Sequence, residues 1–192
     1  DDYTLWNWGD NAAGQLGISS TQYRSSPVQI GATSWTSTSK GISNTFAIKS
    51  DGSLWSWGLN SNGELGLSDT VNRSSPVQIG SSSWTRISTG SAGHTLAITT
   101  TGLLFSWGLN NAGQLGDGTT VNKSSPIQVG TSSWTQVSAG FSFSTAIRTD
   151  GGLFTWGFNT QGQLGSGLTT ARSSPVQVGT SSWTQVSAGD SH

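Results

Sequence analysis

Leu54-Trp55-Ser56-Trp57-Gly58-Leu59-Asn60-Ser61-Asn62-Gly63-Glu64-Leu65-Gly66 is one of four versions of a single phrase in this chain. Its Trp-Gly recurs at Trp8-Gly9, Trp57-Gly58, Trp107-Gly108 and Trp156-Gly157, in steps of 49, 50 and 49 residues. Its Leu-Gly recurs at Leu16-Gly17, Leu65-Gly66, Leu115-Gly116 and Leu164-Gly165. Downstream, Ser-Ser-Pro ends at Pro27, Pro76, Pro126 and Pro175, and Ser-Trp-Thr centres on Trp35, Trp84, Trp134 and Trp183. The markers keep one phase, and the extra residue of the second step fits an insertion in the Gly90–Gly93 loop. A fixed period of this length decides fold before any local propensity does.

Each unit reads as four short strands. In the second they are Leu54–Trp57, Pro76–Ile79, Trp84–Ser88 and Thr95–Ile98. All are rich in β-branched and aromatic residues and bounded by Gly, Asn, Ser and Pro. Asp51-Gly52 and Asp150-Gly151 are strong hairpin turns joining the fourth strand of one unit to the first of the next. No helical periodicity runs longer than a turn. The expectation is an all-β protein: a β-propeller of about four blades, each of four short antiparallel strands. One such sheet cannot hide both faces, so neighbours must stack on it. With Ser and Thr making up 60 of 192 residues, the 10 Trp are the natural mortar. The whole of 1–192 reads as one repeat domain, with units at about 2–50, 51–100, 101–149 and 150–192.

The pattern Leu-Trp-x-Trp-Gly-x-Asn-x-x-Gly-x-Leu-Gly, then Ser-Ser-Pro-Val-Gln, Trp-x-x-Val-Ser-Ala-Gly and x-Ala-Ile, resembles the regulator of chromosome condensation repeat across the full chain. The resemblance implies a propeller, usually of seven blades. It does not imply one function: members include a chromatin-bound guanine-nucleotide exchange factor, a plant ultraviolet photoreceptor, and bacterial, secreted and phage structural proteins. This chain carries about four units, and its last lacks the x-Ala-Ile strand found at 46–48, 96–98 and 145–147. The final sheet is therefore expected to be short of a strand, with an open edge. A piece of a longer protein is favoured over completion by a neighbouring copy, and both over a closed four-bladed ring.

Composition removes several functions. Eight Lys+Arg against nine Asp+Glu leave no footprint for a nucleic-acid backbone. No stretch reaches 18 apolar residues, so no membrane insertion is expected. Without Cys there are no disulfides or thiolate sites, and two His cannot assemble a metal cluster, so no metal or cofactor is expected.

Repetition also supplies an internal test. A residue present in every unit is structural, whereas a site for one ligand should break the pattern. Trp6/Trp8, Trp55/Trp57, Phe105/Trp107 and Phe154/Trp156 thus read as blade packing, and the photoreceptor branch's Gly-Trp-Arg-His-Thr run is absent. Asn44, His94, Phe143 and His192 align, which excludes a shared catalytic base. The acids form no pair suited to hydrolysis, and Asp10-Asn11 is a weak calcium signal because the other units have no acid there. Asn11, Asn60, Asn110 and Asn159 read as turn caps. No catalytic residue emerges.

One charged feature repeats: Arg24, Arg73, Lys123 and Arg172 each precede Ser-Ser-Pro. Equivalent loops of a propeller share a face, so these four are the candidate binding residues, a basic rim for an anionic or protein partner. The plain alternative is four solvated loop charges copied with the repeat. Asn72-Arg73-Ser74 and Asn122-Lys123-Ser124 also form glycosylation sequons there.

Residues 173–189 nearly copy 124–140. Such uniform blades suit attachment better than chemistry. The leading expectation is a non-enzymatic structural or adhesive module of a surface-exposed protein, extracellular or on a virion, with a protein or glycan partner. The alternative is a regulatory partner-binding propeller such as a guanine-nucleotide exchange factor. A propeller lyase would need a His, Tyr or acid cluster that breaks the repeat.

Overall fold

A computed structural model describes residues 3–32 and 34–192. Every regular element among them is a strand. β1 (Trp6–Gly9) and β2 (Arg24–Gln29) form a two-stranded pair. β3 (Trp35–Lys40), β4 (Asn44–Lys49), β5 (Leu54–Gly58) and β6 (Arg73–Gln78) form a four-stranded antiparallel sheet in chain order. β7 (Trp84–Thr89), β8 (His94–Thr99) and β9 (Leu103–Gly108) pair on into the first half of β10 (Lys123–Ala139). The second half of β10 continues with β11 (Phe143–Arg148), β12 (Leu153–Gly157) and β13 (Arg172–Gln177). Because β10 stays extended through both, hydrogen bonding runs unbroken through seven strands.

The sheets are therefore out of phase with the sequence repeat. Each takes its inner two strands from one unit and its outer two from the next. The tight turns at Asp51-Gly52 and Asp150-Gly151 cause this, since they pin the last strand of one unit to the first of the next. Gly52 and Gly151 hold φ of 83° and 86° there. Three four-stranded sheets and one two-stranded sheet result, each larger sheet shared between two units of the sequence. The expectation about the open end is corrected too: the last sheet, ending in β13, has all four strands, and the two-stranded sheet is the first. The outer strand also begins three residues earlier than the sequence suggested. Pro76 lies inside β6, where an edge strand tolerates the missing N–H.

Apolar packing lies between sheets. Phe46, Ile48 and Leu54 of one sheet meet Trp84, Ala97 and Trp107 of the next. Leu96, Ile98 and Leu104 meet Trp134, Ala146 and Trp156 in the same way. Trp57, Trp107 and Trp156 are 0% exposed. Each indole N–H donates across the seam to a loop carbonyl of the preceding unit: Trp57 to Gln15 at 2.9 Å, Trp107 to Glu64 at 2.8 Å, Trp156 to Gln114 at 2.8 Å. A second indole tilts against each, with Trp84 and Trp107 centroids 6.1 Å apart. Burying a tryptophan is worth up to about 5 kcal/mol by area, which explains a core poor in aliphatics. Along the inner ends, Ser39 accepts from the Thr89 amide at 3.0 Å, Ser88 from Ala139 at 3.0 Å and Ser138 from Ala188 at 2.9 Å.

Candidate partner-binding face

Strand register decides which loops share a face. Gly9, Gly58, Gly108 and Gly157 pair with Arg24, Arg73, Lys123 and Arg172. Gly58, Gly108 and Gly157 pair on their other side with Asn44, His94 and Phe143. So the four cations, the short loops before Asn44, His94 and Phe143, and the long loops after each Trp-Gly emerge at one end of the sheets. The cations are not loop residues, as the sequence suggested, but the first residues of the outer strands.

Their surroundings differ. Arg73 bonds the Asp69 carboxylate at 2.5 Å and the Val71 carbonyl at 2.8 Å. Lys123 lies 3.3 Å from Asp117. The Val71 amide, and after it Arg73, hold Asp69 below the usual carboxylate range. Desolvation pushes Asp117 up, but bonds from Thr119 and Lys123 outweigh it and leave it lowered. Asp69 has Ser20 and Leu168 as counterparts in the first and fourth units, and Asp117 has Ile18 and Ser166. Among the described residues no carboxylate pairs with Arg24 or Arg172, and the buried Nε of Arg172 has no hydrogen-bond partner.

The long loops are held from within by the repeated asparagine. Asn60 accepts from the Leu65 amide at 2.8 Å and donates to the carbonyls of Asp69 at 3.0 Å and Val71 at 3.2 Å. Asn11, Asn110 and Asn159 do the same in their units. The cap read from sequence is thus a brace across a whole loop. The sequon asparagines brace as well: Asn72 and Asn122 accept from the amides of Asn60 and Asn110, both at 2.9 Å.

The aligned Asn44, His94 and Phe143 are buried, each against a glycine. A Cβ at Gly90 would lie 2.2 Å from the His94 ring, and one at Gly140 2.2 Å from Phe143. His94 Nε2 is 3.1 Å from Ser144 Oγ, which donates to the Gln114 carbonyl at 2.8 Å. With both residues 0% exposed, this is a seam contact and no exposed nucleophile. Burial lowers the His94 pKa to about 4, opposed by the backbone of Phe143.

Sequence reasoning missed Phe141 and Phe158. Both stand on the same face, 47% and 38% exposed, and line a hollow of about 270 Å³ with Asn111, Ala112 and Ser142. The signal was present, because both break the repeat. Phe141 replaces Ile42, Ser91 and Asp190, and Phe158 replaces Asp10, Leu59 and Leu109.

Fold and sheet register together define a β-propeller. The regulator of chromosome condensation (RCC1) repeat model matches residues 4–48, 51–98, 101–147 and 150–192, and a second model of that repeat matches 35–64, 84–114 and 134–163. The chain belongs to the RCC1 repeat family. Among solved structures it is similar to human WBSCR16, at 22% identity and TM-score 0.87, covering 99% of this chain and 52% of that one. It is also similar to Prp20p of Saccharomyces cerevisiae, at 21% identity and TM-score 0.82, covering 97% and 50%. Prp20, the yeast RCC1, bound to Kap60 gives 21% identity and TM-score 0.79, covering 92% and 45%. The chain thus spans about half the length of these structures. No curated protein matched.

Proposed function

We propose that this chain is part of a regulatory, partner-binding propeller and that its loop face contacts another protein. One observation carries the reading: strand register gathers Arg24, Arg73, Lys123 and Arg172 and the Phe141–Phe158 hollow at one end of the sheets. Arginines and exposed aromatics are side chains that protein interfaces enrich. Prp20p, similar in fold, is described by its binding to Gsp1p and histones and in a complex with Kap60. That supports a protein partner here, and no feature of the face selects a glycan. No catalytic role is assigned to any residue. A surface scaffold is the second reading, favoured only by the near identity of 124–140 and 173–189.

The test is affinity capture followed by reconstitution with the purified partner. Replacing all four cations by Gln should weaken the pair about tenfold or more at about 50 mM salt, with the difference shrinking as salt rises. Binding that ignores both the substitutions and salt refutes the reading.

A further inference from the structure

Resting on that reading, we propose that the Phe141–Phe158 hollow and Arg172 form one subsite. It anchors an acidic peptide segment of the partner through an apolar side chain with a carboxylate beside it.

The departures from repetition converge in one place. Phe141 and Phe158 enter where sister units have smaller or polar groups, and they leave aromatic surface facing solvent around a hollow sized for about one large side chain. Arg172 pairs with Gly157, the residue before Phe158. Its carbonyl lies 3.2 Å from the Cβ position of Gly113, in the turn whose Asn111 and Ala112 line the hollow. In the second and third units the equivalent cation is matched by Asp69 or Asp117. Here Leu168 and Ser166 stand in those places. Among the described residues that charge has no carboxylate partner. Asp190 fixes the orientation: its carbonyl accepts from the Phe141 amide and its carboxylate from the Ser91 hydroxyl, both at 3.3 Å. A ligand carboxylate is repelled on that side and drawn towards Arg172.

The probes are 3-phenylpropionate and phenethylamine, the same ring with opposite charge, titrated into the isotope-labelled 192-residue chain. The expected result is amide shifts confined to Ala112, Ser142, Phe158 and their neighbours, with the carboxylate about fivefold tighter than the amine. Arg172→Gln should erase that preference. Phe141→Ser with Phe158→Leu should abolish the shifts; both residues occur at these positions in sister units, so folding is retained. No shifts up to about 10 mM probe, or equal binding of the two, overturns the subsite. If the probes behave as stated but the partner ignores Phe141→Ser with Phe158→Leu, the hollow does not anchor the partner and this proposal fails, while a partner lost on replacing the four cations still upholds the face. If the four-cation variant loses the partner but no probe binds, the subsite fails and the face stands.

Discussion

At the scale of the residue, the glycine of Leu-Gly shows how a local signal carries a distant constraint. Gly66 holds φ at 71°, and a Cβ there would lie 2.8 Å from Trp107 Nε1. Gly17 and Gly116 meet Trp57 and Trp156 alike. Gly66→Ala is expected to cost about 3 kcal/mol, from backbone strain and displacement of the indole. Urea unfolding should show a lower midpoint with an unchanged slope. His94 makes a second prediction. Its folded pKa, about 4, lies below the ordinary 6.5, so the unfolded chain binds the proton more readily. The neutral ring's contribution is whole above about pH 6.5 and is lost as pH falls towards 4, by at most about 3 kcal/mol. His94→Phe, the residue at Phe143 in the next unit, should flatten stability against pH between 4 and 6.5 in denaturant titrations. The sequence showed Leu-Gly as a repeated marker, and the alignment of Asn44, His94 and Phe143 excluded a shared base. The indole above each Leu-Gly was invisible, because it lies 40 or 41 residues further along the chain.

At the scale of the element, strands were legible and loops only partly so. Alternating β-branched and aromatic residues located β5, β7 and β8 to within a residue or so. The outer strand was misread because Pro76 looks like a boundary, although an edge position accepts it. The cations moved from loop to strand with it. The Phe141–Phe158 hollow escaped because neither side chain belongs to a motif, and only comparison between units reveals them. Within the loops, Asn110 is 0% exposed and satisfies the Leu115 amide and the carbonyls of Thr119 and Val121. Asn110→Ala leaves buried groups unpaired and is expected to cost about 3 kcal/mol, lowering Tm by about 6–10 °C in calorimetry.

At the scale of the whole molecule, the half-unit offset between repeat and sheet governs cooperativity. A chain ending after Thr149 stops at a repeat boundary but removes β12 and β13, leaving β11 without an outer neighbour. Amide exchange at Phe143–Arg148 should then speed up by about 100-fold or more, while β7 to β9 keep their protection. Equal protection in the shortened and full chains would show that the sheets do not depend on this stagger. The propeller class could be read from period and composition, but the offset required knowing which strands the short turns bring side by side. The stagger works like overlapping courses in a brick wall. No unit of sequence is also a unit of architecture, so a crack that starts in one must pass through its neighbour, and a duplicated unit enters the wall already bonded on both sides.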